Sequence, residues 1–408
     1  MFYVTDTGTG NGSGYINYFT ERYMNSRERV KTSLNHKEPD RIPIDIGQSS
    51  FTGISAVAYK NLLKYLGKRD REIVIHDRKQ QLAKMDEDIL EYFGIDVRGI
   101  YFDPPANWSF NLHDDDDYTF YSDHWDITWR MPKEKGLYYD LWKSPLAGVN
   151  LSEEMKDFSW PKIDDESRIK NIVRSAKELH EQNEYFITVG GCAMTVGFFQ
   201  EFQWLQGIQN AYLNLAMDPD GSRELLEKLE ELEIQFWTWI LPIIGEYIDM
   251  MVIPDDFAGQ TGLLISKSMF EEFFKPRYTR LFSTIKKLAP HIKTFYHCCG
   301  AVTQLIPDII EMGADILNPL QLSADGMNIA QIKKDFGKDI CFWGGGVDTQ
   351  FTLPNGTKQE IKDEVKRNMD ILAPGGGYIF NTVHNIQGDV PPENIATMFE
   401  TFAENAKY

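Results

Sequence analysis

The sequence predicts an α/β protein folded as a (β/α)8 TIM barrel with an insertion over the barrel mouth. Three observations carry that expectation. Eight short apolar runs recur along the 408 residues, longer stretches with helical spacing lie between most of them, and acidic, histidine or glycine residues cluster just past the ends of the runs. A chain of this length could hold two or three average domains, but one large barrel with an insertion accommodates every element.

The predicted strands are Arg41–Asp45, Asp96–Phe102, Tyr185–Val189, Met250–Ile253, Lys293–His297, Asp315–Asn318, Ile340–Trp343 and Gly377–Phe380. Each is short and rich in Val, Ile, Phe, Tyr or Met, as strands covered on both faces are. Apolar residues at helical spacing predict helices over Ser26–Asn35, Asp86–Phe93, Gly221–Gly245, Ser268–Leu288, Val302–Met312, Asn328–Phe336 and Lys358–Leu372. The interval from about 104 to 180 is too long for one loop and helix. Its acidic run Asp114–Asp117 reads as a solvated turn, and Trp125, Trp129, Tyr138, Tyr139 and Trp142 read as the core of a β-rich insertion. Residues 1–20 read as a flexible lead-in, because residues 5–14 are mostly Gly, Ser, Thr and Asn, which leaves 21–408 as the barrel domain.

Composition excludes several functions. With 42 Lys and Arg against 61 Asp and Glu, the net charge of −19 argues against nucleic-acid binding, which needs clustered cations on phosphate. No basic start leads into an apolar run and no 18-residue apolar stretch occurs, so the expectation is a cytoplasmic protein off the membrane. Four cysteines are too few for a disulfide scaffold, and Cys298 and Cys299 are adjacent. Thiolate or metal chemistry is the better use for them.

Chemistry is expected where barrel strands end, since the loops at their C-termini carry catalytic side chains. There the sequence offers His297-Cys298-Cys299-Gly300, in which an extended backbone points His297 and Cys299 the same way, so both could hold a borderline-soft cation such as zinc. The bland alternative is a barrel-facing histidine with two buried thiols. A third ligand must come from another strand end, with Cys341, His384, Asp255 and Asp256 as candidates; the expected set is His297, Cys299 and Cys341. Asp255 and Asp256 follow a strand and suit acid–base work, metal ligation or acceptance of a substrate N–H, or else cap the following turn. The other strand-end side chains Gln48, Gln321, Trp343, Asp348 and Asn381 are expected to bind substrate. Gly344–Gly346 could let backbone approach a ligand, whereas Gly375–Gly377 precede a strand and read as a tight turn. Neither run is a nucleotide-binding motif, and no G-x-S-x-G elbow occurs.

At these residues the chain resembles the uroporphyrinogen decarboxylase superfamily, which includes cobalamin-dependent methyltransferases. The resemblance runs over roughly 24–405. It rests on Met24–Arg29, on His36–Pro43, on Pro254–Gly259, on Ser266–Pro276, on His297–Gly300, and on Val383–Gln387 with Pro391–Asn394. It implies a commonly dimeric (β/α)8 barrel with a deep cleft, with Asp103 nearest to the decarboxylases' catalytic aspartate and His384 matching a late histidine. Decarboxylases of this family carry an arginine-rich stretch after the first strand; here it reads Asp45-Ile46-Gly47-Gln48-Ser49-Ser50, which removes the cationic clamp for a polycarboxylate. The methyltransferase branch places His, Cys and a later Cys on zinc. His297 and Cys299 match the first two, while Ala373-Pro374-Gly375-Gly376-Gly377 has glycine where the third would stand.

The expectation is therefore a methyltransferase with catalytic Asp255, Asp256, Asp103 and His384. It would move a methyl group between a small methylated donor and a corrinoid supplied by a partner protein, with zinc polarising the donor. The alternatives are a cofactor-free decarboxylase of uroporphyrinogen or a related acid, and a non-catalytic ligand-binding barrel.

Overall fold

The computed structural model describes residues 24–148, 151–191 and 193–408. The expected lead-in therefore lies outside the described residues. Seven parallel strands form one curled sheet: β1 (Val97–Ile100), β2 (Phe186–Val189), β3 (Met250–Pro254), β4 (Lys293–His297), β5 (Ile316–Asn318), β6 (Cys341–Trp343) and β7 (Tyr378–Ile379), each paired with its neighbour in chain order. The first predicted strand is reduced to a bridge. Ile44 pairs with Phe380 in parallel, and its carbonyl accepts the Asp96 N–H ahead of β1, so this segment joins the two sheet edges and completes the ring. All eight predicted strand positions thus hold barrel backbone.

Period-two alternation divides the side chains. Val97, Phe186, Met250, Val252, Phe295, Ile316, Cys341, Trp343 and Ile379 form one buried cluster inside the barrel, while Met251, Ile253, Tyr296, Leu317 and Phe342 join the larger core under the helices. Val30 and Leu34 of the helix Ser26–Leu34 join the inner cluster from one side. That helix begins on a full capping box between Asn25 and Glu28. Phe51 joins the same cluster and also packs, tilted, against the His297 ring with centroids 4.3 Å apart, which places it at the mouth.

Between β1 and β2 stands a four-stranded antiparallel sheet over His113–Lys143, in the order of its chain. Trp125, Trp129 and Tyr139 are buried in its core, whereas Tyr138 and Trp142 are exposed. The helix Lys170–Gln182, at the end of this interval, packs on β1 and β2 and so belongs to the barrel. Among the described residues no helix is long and apolar enough to cross a membrane.

Candidate active site

A cleft of about 640 Å³ opens at the C-terminal ends of the strands. His297, Cys299, His384 and Asp256 lie in it, and the insertion closes one side with Trp129, Tyr139 and Leu141. The mouth position of these side chains follows from strand polarity: His297 is the last residue of β4, two residues after inward-facing Phe295, so its ring also turns inward.

Past His297 the chain bends sharply. Gly300 adopts φ +88°, and a Cβ there would meet the Ala258 carbonyl oxygen at 2.5 Å, so only glycine lets Cys299 sit between the neighbouring strand ends. The Cys299 N–H donates to Asp256 Oδ1 (2.7 Å), and the Gly300 N–H donates to Gln321 Oε1 (3.0 Å). Cys299 Sγ lies 3.3 Å from His297 Nε2. His384, on the loop after β7, completes a triad whose ligand-type atoms all lie within 4.8 Å of one another.

The electrostatics hold these groups in their neutral forms. Burial lowers the His297 and His384 imidazoles to about 4, and burial together with the Asp256 carboxylate raises the Cys299 thiol well above its ordinary value. Asp256 keeps a third of its side-chain surface open to the cleft (33%), and the enclosing walls push its carboxyl up. Its Oδ1 stands 3.8 Å from His297 Nε2.

Two neutral imidazole nitrogens and a thiol fit a tetrahedral zinc with one position left open, the donor set of a catalytic rather than a structural site. The 3.3 Å between Cys299 Sγ and His297 Nε2 suits two ligands on one ion with bonds of about 2.3 and 2.0 Å. In the absence of a metal the same separation accommodates an S–H donated to a bare imidazole nitrogen.

The remaining expected residues divide. Gln321 lines the cleft. Cys341 is not brought to His297 and Cys299: it begins β6, at the opposite end of the barrel, where its thiol faces the Leu34 carbonyl and His36. Asp255 is fully buried and caps the helix Phe198–Gln206, accepting from the Phe199 and Gln200 N–H groups (2.6 and 2.8 Å) and from the Tyr278 hydroxyl (2.6 Å), while burial raises its carboxyl to about 8. This close approach needs Gly197, where a Cβ would meet the Pro254 carbonyl oxygen at 2.1 Å. Asp103 lies past the barrel rim, bonded to the side chain and backbone N–H of Asn171. Trp343 fills the barrel interior and donates to Asp45. Asn381 is fully buried against the Asp45 carbonyl, Gln48 accepts from the Gly99 N–H, and Asp348 holds a turn through the Gln350 and Phe351 N–H groups. None of these five lines the cleft. Gly344–Gly346 press on Thr382, Leu320 and Phe380 instead of on a ligand space.

Sequence reasoning missed Asn318, whose Oδ1 lies 2.5 Å from His297 Nδ1. The signal was present in principle, since Asn318 ends its strand directly opposite His297 in the register. It also missed Lys79, whose ammonium sits 4.1 Å from the Trp129 ring and 3.3 Å from that of Trp204, joining the insertion to the barrel at the cleft wall.

A parallel barrel whose polar, partly open cluster lies at the strand C-termini has the architecture of the α/β-barrel enzymes. A family model described as uroporphyrinogen decarboxylase (URO-D) matches residues 150–405, and the chain belongs to this family of enzymes. Uroporphyrinogen decarboxylase of Chlorobaculum tepidum is 22% identical over 260 residues, covering 61% of this chain and 68% of that one. The Legionella pneumophila protein of the same name is 26% identical over 192 residues, 47% of this chain and 51% of its own length. Among solved structures, a methyltransferase from Methanosarcina mazei superposes with a TM-score of 0.63 at 18% identity, over 93% of this chain and 98% of that one, which is a likeness of fold.

Proposed function

We propose that this chain is a methyltransferase in which His297, Cys299 and His384 hold one zinc ion at the cleft floor. The observation that carries the reading is the convergence of these three side chains, from two separate loops, on one point open to the cleft. Bound zinc would supply Lewis acidity toward the heteroatom of a small methylated donor. The protein's own part is to bind and orient that donor: aromatic Phe51 and Trp129 offer apolar wall, and the amides of Gln80, Gln200 and Gln321 offer donors and acceptors around it. Asp256, raised toward its neutral form and facing the cleft, can keep a proton near the departing heteroatom. The methyl acceptor would be a corrinoid carried by a separate protein.

A decarboxylase reading takes its support from the names of the relatives. Two observations weigh against it. Among the described residues no arginine lines the cleft, whose wall carries the single cation Lys79, and Asp103 is engaged by Asn171 outside it.

The test is metal content of freshly purified protein by inductively coupled plasma mass spectrometry, with Cys299→Ala and His384→Ala beside it, followed by a methyl-donor screen against cob(I)alamin. About one zinc per chain, lost in both variants, with methyl transfer to cobalt, is the expected result. Metal-free protein that turns over uroporphyrinogen would overturn it.

A further inference from the structure

We infer that Asn318 is a positioning residue that holds His297 in its Nδ1–H tautomer and so aims the Nε2 lone pair at the point shared by Cys299 and His384. The inference rests on the metal reading above only for its consequence; the tautomer itself follows from hydrogen-bond bookkeeping.

A neutral imidazole has one donor and one acceptor nitrogen, and its partner decides which is which. The partner of His297 Nδ1 is Asn318 Oδ1, at 2.5 Å. An amide can present either its oxygen or its nitrogen, so its orientation must be fixed from its other side. That side is unambiguous. Asn318 Nδ2 lies 2.6 Å from the Trp343 carbonyl oxygen, which can only accept, so the NH2 group faces Trp343 and the oxygen faces His297. The oxygen can only accept in turn, and Nδ1 must therefore carry the proton.

The amide is held in place by what surrounds it. Asn318 is fully buried, its own carbonyl accepts the Cys298 N–H (2.7 Å), and a Cβ on Gly344, at φ +103°, would lie 3.1 Å from Nδ2. The Trp343 indole is anchored further back, donating to Asp45 Oδ2 at 3.0 Å. A chain of fixed partners thus runs from the first barrel segment to the imidazole. Partners of this kind orient metal-ligating histidines, and their loss typically costs about 10- to 100-fold in metal affinity.

Metal-free protein labelled with 15N-histidine tests this through two-bond 1H–15N correlations, with His297 assigned by the signal missing from His297→Gln. The expected pattern is a protonated Nδ1 and a bare Nε2. Asn318→Ala should weaken zinc binding about 10- to 100-fold in competition with a chelator and disturb that pattern, whereas Asn318→Asp, which keeps an acceptor toward Nδ1, should preserve it. A wild-type His297 protonated at Nε2 overturns the proposal, as does an Asn318→Ala variant unchanged in both readouts. Should Asn318→Ala fail to fold, the wild-type spectrum decides alone. Wild-type protein that takes up no zinc yet shows the Nδ1–H pattern would sink the metal reading and leave the tautomer assignment standing.

Discussion

The barrel carries buried polar groups at both ends, and they are treated in opposite ways. At the N-terminal end, the residue just before β1, β3 and β5 is an aspartate in each case: Asp96, Asp249 and Asp315. Each accepts a backbone N–H from a neighbouring segment, those of Ile44, Ile187 and Thr294. Each also has cations beside it. Asp96 takes Arg29 and Arg41, Asp249 takes Arg27 and Lys31, and Asp315 takes Lys286 and Lys293. Burial alone would push the Asp96 carboxyl up, but the two guanidiniums outweigh it and hold it below the ordinary range. At the C-terminal end Asp45, buried as deeply, is raised to about 7 by that burial, with no ion pair to offset it among the described residues, where its Oδ1 also lacks a hydrogen-bond partner. Saturated partners make the first rim a fastening for the strands. At the second rim His297, Cys299, His384 and Asp256 face a cleft where a ligand can complete the set.

Asp96→Ala should have the largest effect on this contrast. It takes away the carboxylate that the buried guanidiniums of Arg29 and Arg41 share, Arg29 keeping Asp40, and a loss of about 3–5 kcal/mol is expected in denaturant unfolding. Cys299→Ala, at the open rim, should leave the unfolding midpoint nearly unchanged while removing metal uptake. If the two variants cost similar stability, the division of the barrel into a fastening end and a reactive end fails.

The adjacent aspartates sharpen the same contrast within one loop. Asp255→Ala removes the acceptor of two helix N–H groups and of the Tyr278 hydroxyl, and about 1–3 kcal/mol should be lost. Asp256→Ala gives up one bond, from the Cys299 N–H at the edge of the cleft, and should cost less stability but most of the activity. Paired unfolding curves and turnover rates check both halves.

How much of this was legible in the sequence depends on strand polarity. The eight apolar runs mark the strands because residues buried on both faces must be apolar, and His297 was found because it ends its run. Cys341 lies at the other rim for the reason that His297 lies at the mouth: it stands at the start of its strand, so a parallel sheet carries it to the opposite end. Trp343 and Asn381 do sit at or past strand ends, but inward-facing side chains at that height fill the barrel floor before the cleft begins. Asp103 lies three residues beyond β1, far enough to pass over the rim and meet Asn171. His384 was recognised as a candidate, but its meeting with His297 and Cys299 could not be read locally, since it joins loops more than 80 residues apart in the chain. The β-rich character of the insertion was visible in its aromatic content; its end was not, because the helix Lys170–Gln182 is amphipathic like any barrel helix.

The smallest effect concerns the protons of the open rim. His297 and His384, lowered to about 4 by burial, are already neutral at pH 6–8 and have no proton to give up when a metal arrives. Cys299, raised by burial, is a thiol over the same range and must lose its proton to become a ligand. Each bound zinc should therefore release one proton. Its apparent affinity should rise about tenfold per pH unit, or about 1.4 kcal/mol, between pH 6 and 8. The sign follows from the thiol: raising the pH supplies the thiolate form, and the slope would flatten only above the thiol's own raised pKa. Chelator competition at several pH values measures it. A slope near zero would mean that Cys299 is not a ligand, and a slope near two would mean that a second group, with Asp256 the nearest, gives up a proton as well.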